Sequence, residues 1–313
     1  MAERLTSTVL LEKGIDPRFL TGTLGMTPKA VTLTARLVGM GELGLNDIVQ
    51  SAVPNIETTT SGDTVVGESH IRFFVEPKSD KAFRETLETV PADGLIVLES
   101  PLVATSAYRD KTDVASFSQI ALVQSQKRGT EPQYLEEERP DHYRLWERAG
   151  LTEFTTRTQL MTYFGFMHAM TVLYRNPITV EEAIAQVLKQ FPERQTDQDA
   201  AALIVGVCAA VKCGYTPARD TEAKKVQNAW AQFRELDTLA RDVHMNERIR
   251  ILKGRNPNKK LFVVVGKNHF DVCTEALTGK GSQGIKKRLS GQAEQYINDG
   301  ISLILPYTTS SRR

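Results

Sequence analysis

Hydrophobic residues gather into short unbroken runs at a few places in this chain and recur at helical spacing between them. Thr64-Val65-Val66 is a β-branched run that ends at Gly67. Leu95-Ile96-Val97-Leu98 ends at Glu99, and Leu261-Phe262-Val263-Val264-Val265 ends at Gly266. Continuous apolar strands fit a parallel sheet buried on both faces. A further run, Ile301 to Leu305, is stopped by Pro306 and predicts a last buried strand. Between the first two runs, Phe83, Leu87 and Val90 recur at helical spacing within Lys78 to Val90, and Pro91-Ala92-Asp93-Gly94 is a turn. This is strand, helix, strand.

The middle third reads as helical. His142 to Arg148 predicts an exposed or half-exposed helix, and Leu160 to Tyr174 is apolar nearly all round, which predicts burial. Thr179-Val180-Glu181-Glu182 is a capping box opening a helix through Phe191. Asp199 to Lys212 is rich in small apolar residues, and a long helix is predicted from about Thr221 to Leu252 with a stripe of Val226, Trp230, Phe233, Ala240 and Val243. Near the start, Thr27 to Gly39 predicts a helix with Pro28 at its first position, while Glu57 to Asp63 (ETTTSGD) reads as a loop. Ser282 to Ile297 predicts a helix, and the C-terminal TTSSRR a frayed end. The expected architecture is α/β: a central, mostly parallel sheet flanked by helices, with a helical insertion at about 110–220. Residues 1–56 are expected to be an N-terminal segment open to a role in delivery, and 57–313 a single domain.

Composition narrows the class. Of 313 residues, 41% are hydrophobic and 25% charged, enough for a large buried core. Lys and Arg number 39 against 38 Asp and Glu, a balance that gives no phosphate-tracking surface for nucleic acid and no basic membrane patch. The cysteines are Cys208, Cys213 and Cys273, an odd, unpatterned set with no CxxC, which predicts neither a disulfide framework nor a zinc knuckle and suits a reducing compartment. The first residues carry no apolar core of a secretory signal, and the apolar run within 199–212 is far short of the ~20 residues that span a bilayer.

Two segments share one local plan. Thr64-Val65-Val66-Gly67-Glu68-Ser69-His70 and Val263-Val264-Val265-Gly266-Lys267-Asn268-His269 are each a β-branched strand, then Gly, two residues and His. Ligands of parallel sheets bind outside the carboxyl ends of the strands, so both imidazoles are expected on the functional edge. Gly there lets the chain leave the strand in a conformation other residues resist and lets backbone approach closely. The bland alternative is that each His caps a strand end. Glu99 closes a wholly apolar strand, where a carboxylate is costly unless paired or functional. Its alternative role is as a buried partner of a helix end or an Arg. Glu68 stands beside His70, either orienting it or serving as a second carboxylate. Arg241, late on the long helix, suits an oxyanion or a pairing with Glu99, or else a solvated face. The solvated face is the reading for Asp242 and His244, the core for His168 and the surface for His142. No Walker loop, GxGxxG after a strand, HExxH or GxSxG elbow occurs. Ser69 is not in an elbow, and Gly279 to Gly284 reads as a loop.

VVGESH, then a helix and LIVLES, and later RDVHMNERI with FVVVGKNHF, resemble the erythromycin esterase, ChaN and Tiki superfamily over residues 60–100 and 235–275. The single residue between Glu68 and His70 is closer to the ChaN and Tiki style than to the esterases. The resemblance implies one composite site at Glu68, His70, Glu99, Arg241 and His269. As a hydrolase, His70 is the general base on water, Glu68 or Glu99 orients it, and Arg241 and His269 stabilise the oxyanion. A metal version places a divalent ion on His70, Glu99 and His269. The ChaN branch implies haem binding without turnover, and a decayed site is the structural alternative. The superfamily includes toxin domains and type III effectors of plant pathogens. An effector of that kind is made in the bacterial cytoplasm and delivered without a leader into host cells. There it acts on a small-molecule or host-protein substrate, or meets a host immune receptor, and triggers cell death.

Overall fold

The computed structural model describes residues 2–39, 41, 43–104, 112–136, 146–147, 157–175, 178–191, 196–212 and 221–279. The helix expected at 282–297, the strand at 301–305, His142, Cys213 and the end of the 279–284 loop lie outside them. The chain groups into two units: Met1–Glu138 with Met245–Gly281, and Arg139–His244 with Ser282–Arg313.

The first unit holds a five-stranded sheet of order β1-β2-β5-β3-β4, with β1 Asn55–Thr58, β2 Thr64–Glu68, β3 Leu95–Leu98, β4 Gln133–Tyr134 and β5 Leu261–Gly266. Only β1 runs antiparallel among these pairings. The three apolar runs are the three central strands, and β5 is buried along its whole length. Residues expected to be loop become β1 and a hairpin turn. Thr59 and Asp63 close it through backbone, Gly62 takes φ +80°, and the strand is exposed enough to carry polar residues. At the amino ends of the strands, buried Asp63 accepts from the Leu261 amide at 2.9 Å and the Lys253 ammonium at 3.0 Å.

Helices cover both faces. On one lie α4 (Pro77–Glu88), the short α5 (Pro101–Ala104) and α6 (Phe117–Lys127), whose Phe83, Leu87, Ala104, Phe117 and Ala121 pack with Val66, Leu98, Phe262 and Val264. On the other, Met245, Ile249 and Leu252 of the long helix α10 (Thr221–Arg255) and Cys273 and Ala276 of α11 (Phe270–Leu277) pack on Val65, Val97, Val263 and Val265. The helix α4 agrees with its expected stripe and is opened by Glu76, which accepts from the Ser79 amide at 2.6 Å. That hydrogen bond holds the Glu76 carboxyl below its ordinary value.

Two expectations about organisation need correction. Residues 112–136 are not part of a helical insertion: α6 lies on the sheet and β4 pairs in parallel with β3. Residues 1–56 do not stand apart either. The helices α1 (Ala2–Glu12), α2 (Pro28–Gly39) and α3 (Leu45–Ser51) share one hydrophobic cluster with Phe73 and Phe74, just downstream of His70. Thr27 Oγ1 also donates to the Thr112 carbonyl at 2.9 Å, and Lys29 pairs with Asp113.

In the second unit, α7 (Arg157–Arg175) packs on α9 (Asp197–Lys212) so closely that a Cβ on Gly165 or Gly206 would strike the facing backbone. Arg157 and buried Asp199 form an ion pair between the two helices. The helix α8 (Val180–Gln190) opens with the expected Thr179–Glu182 capping box. Phe164 and Phe191 stack, and His168 meets Phe191 edge-on, as a core histidine does. Asp242, expected on a solvated face, is buried. Among the described residues no helix is long and apolar enough to cross a membrane.

Candidate active site

The strand β5 lies between β2 and β3, so the carboxyl ends of all three meet at one edge. In the register, Glu68 stands opposite Gly266 and Leu98 opposite Val264, which puts Glu99 one step further along. Side chains alternate along a strand. Glu68 therefore leaves on the side of Val66, toward α6, and Glu99 on the side of Val97, toward α10 and α11.

Both carboxylates are buried and both reach His70. His70 Nε2 lies 3.3 Å from Glu99 Oε2, and His70 Nδ1 lies 3.7 Å from Glu68 Oε1. The His70 side chain keeps 24% of its surface open, against 0% for Glu68 and 2% for Glu99. The imidazole is thus the part of this trio that solvent reaches. Burial by itself lowers the His70 pKa, but Glu99 at 3.3 Å, and then Glu68, outweigh it and hold the pKa well above the ordinary value.

The two carboxylates are held differently. Glu68 sits at the start of α6, where unpaired amides and the positive end of the helix favour an anion. The Phe117 amide donates to Oε2 at 2.6 Å, the Ser118 amide to Oε1 at 3.2 Å, and the Ser118 hydroxyl to Oε1. That turn is itself fixed by a capping box between Ser116 and Gln119. Glu99 Oε2 accepts the Gly266 amide at 2.6 Å while facing His70.

The glycines serve close approach. Neither Gly67 nor Gly266 takes a positive φ, so no unusual backbone conformation is at work. A Cβ on Gly266 would lie 2.9 Å from His70 Nε2 and 3.2 Å from Glu99 Oε2, and one on Gly67 would lie 2.9 Å from Phe270 Cβ.

His269 ends a single 3-10 turn, Lys267–His269, that carries β5 directly into α11, and it is buried at 3% exposure. Arg241 is half-buried on α10 and belongs to the second unit. Within the first unit the site consists of Glu68, His70 and Glu99, with His269 on the same sheet edge. Sequence reasoning missed Arg72, which is 1% exposed, along with the amides at the start of α6. The signal for Arg72 was a lone charge inside the otherwise apolar Ile71–Val75.

A metal ion was expected on His70, Glu99 and His269, where both ring nitrogens of His70 face carboxylates. Among the described residues no group of three or more His, Cys, Asp or Glu is arranged to hold one. A cavity of about 450 Å³ lies between α4 and α6, lined by Arg84, Leu87, Ile120, Val123 and Lys127 among others, and none of Glu68, His70, Glu99 or His269 lines it.

No family model, curated protein or solved structure matches this chain.

Proposed function

We propose that the chain is a hydrolase of the erythromycin esterase, ChaN and Tiki type, with His70 as its proton donor and Glu99 as its base. The observation that carries this reading is an imidazole gripped by two buried carboxylates at the open edge of a parallel sheet. The charges of Glu99 and Glu68 outweigh burial and favour the protonated imidazole, which suits it to give a proton. Glu99 takes a proton as water attacks an ester or amide carbonyl. His70 gives its Nε2 proton to the leaving group as the carbon–heteroatom bond breaks. Glu99 then returns its proton to His70 across their 3.3 Å contact.

The proposed setting is a bacterial effector acting inside host cells. A panel of carboxylic esters, thioesters and peptides, tested with wild type, His70→Asn and Glu99→Gln, checks the chemistry. Turnover by wild type that both variants lose supports it. No turnover of any class, or turnover that survives both substitutions, rejects it. Expression of wild type and His70→Asn in plant leaf tissue checks the setting: cell death that requires His70 is expected, and death that is equal with both, or absent with both, rejects a site-dependent effector.

A further inference from the structure

We infer that Arg72 is a positioning residue for His70, acting through the start of α6 and through Glu68. Arg72 is almost wholly buried, where an unused charge is costly. Its guanidinium lies 3.9 Å over the Phe117 ring, and Nη1 donates to the Ala115 carbonyl at 3.0 Å. Nη1 and Nη2 share Asp80 Oδ1 of α4, each at 3.4 Å. Its Nε makes no hydrogen bond. The group thus leaves a donor unused while its centre sits over an aromatic ring, which points to a cation–π platform more than to a salt bridge.

What this platform steadies is residues 115–117, on either side of the Ser116 cap. The Phe117 amide that holds Glu68 Oε2 belongs to the residue whose ring Arg72 covers. The linkage is continuous: Asp80 to Arg72, Arg72 to Ala115 and Phe117, the α6 amides to Glu68, and Glu68 to His70 Nδ1. A lysine keeps the charge but lacks the planar fork that stacks and donates at once. Arg72 also sits two residues past His70, so the segment that carries the imidazole brings the brace for its carboxylate with it. This role holds whether or not the site turns over an ester.

Nitrogen NMR of the intact chain with isotopically labelled histidine rings reads the position of His70 directly. His70→Asn assigns its signals and Glu68→Gln shows where they move when the carboxylate's hold is lost. Arg72→Lys and Arg72→Met are both expected to move the His70 ring signals at least halfway toward their place in Glu68→Gln, with the His168 signals unchanged. Asp80→Asn, at a position with its side chain partly open, gives a smaller shift in the same direction and serves where the Arg72 variants do not fold. His70 signals that stay at the wild-type position in these variants overturn the role. So does full restoration by Arg72→Lys of a shift seen in Arg72→Met, since charge alone would then suffice.

Discussion

The two strand–Gly–x–x–His segments are alike in sequence and unlike in what they build. After β2 the chain runs on through Glu68 and Ser69 to an imidazole that solvent reaches and two carboxylates grip. After β5 it turns at once through Lys267–His269 into α11, and the second imidazole is buried as that helix begins. The difference comes from the residues next after each His. Ile71, Phe73 and Phe74 insert into the N-terminal helical cluster and carry the first segment along the edge, while Phe270 opens a helix that folds the second back onto the sheet. Spacing puts both rings at the functional edge. Only their surroundings leave one of them open to solvent.

Replacing each ring is the strongest way to break this contrast. His70→Asn is expected to cut hydrolysis by about 10²–10⁴-fold, the usual worth of a positioned acid or base, with the fold retained. His269→Ala is expected to lower stability by about 2–4 kcal/mol, as truncation of a buried side chain does. Denaturant unfolding and initial rates on both variants check this. A His269 variant that keeps wild-type stability and loses all turnover would show that the second ring works as directly as the first.

The glycines divide the same way. Gly67→Ala pushes its methyl into the Phe270 side chain inside the packed seam between β2 and α11, with an expected cost of about 1–3 kcal/mol. Gly266→Ala meets the His70 ring instead, and that ring has open surface to move into. The expected result is a small stability loss with most of the activity gone. If both variants lose stability equally and Gly266→Ala keeps its rate, the close approach of His70 to β5 has no role in the chemistry.

Part of this was readable beforehand. Unbroken apolar runs marked β2, β3 and β5, because strands buried on both faces admit few polar residues, and Glu99 stood out for the same reason. The stripe of α4 and the capping box of α8 were equally plain. The helix α6 gave no pattern because its buried face includes the polar Ser118, Gln119 and Ser125, which bond Glu68, the Ser116 amide and the Thr130 carbonyl. The strands β1 and β4 are four and two residues long, too short for an alternation to register. The partners of buried Arg72 were not legible, since they are a ring and a carbonyl more than forty positions away. The hold on Glu68 comes from α6 as well, a helix that no local pattern near Glu68 announces.

The pH dependence of stability tests the surroundings of His70 without any substrate. The folded pKa of His70 lies above its unfolded value near 6.5, so the stability from this group is fully present below about pH 6.5. It is lost as pH rises through the higher folded value. Wild type should therefore weaken against denaturant as pH climbs above 6.5, and His70→Asn should lose that slope. A slope that persists in His70→Asn places the titration elsewhere.

The smallest expected effect concerns the tether of the second segment. Lys267 Nζ donates to the Gln50 carbonyl of α3 at 2.8 Å, and burial lowers its pKa. The N-terminal helices thus grip the first segment by apolar burial of Phe73 and Phe74, and the second by one charged hydrogen bond. Lys267→Met removes that bond and keeps most of the stem, so stability should fall by only about 0.5–1.5 kcal/mol. The more telling readout is hydrogen exchange. Amides of α3 should open sooner in Lys267→Met, while those of β2 and β5, paired within the sheet, should not change. Faster exchange in β5 as well would mean that Lys267 fixes the strand end itself. The two segments would then differ less in how they are anchored than in how their rings are exposed.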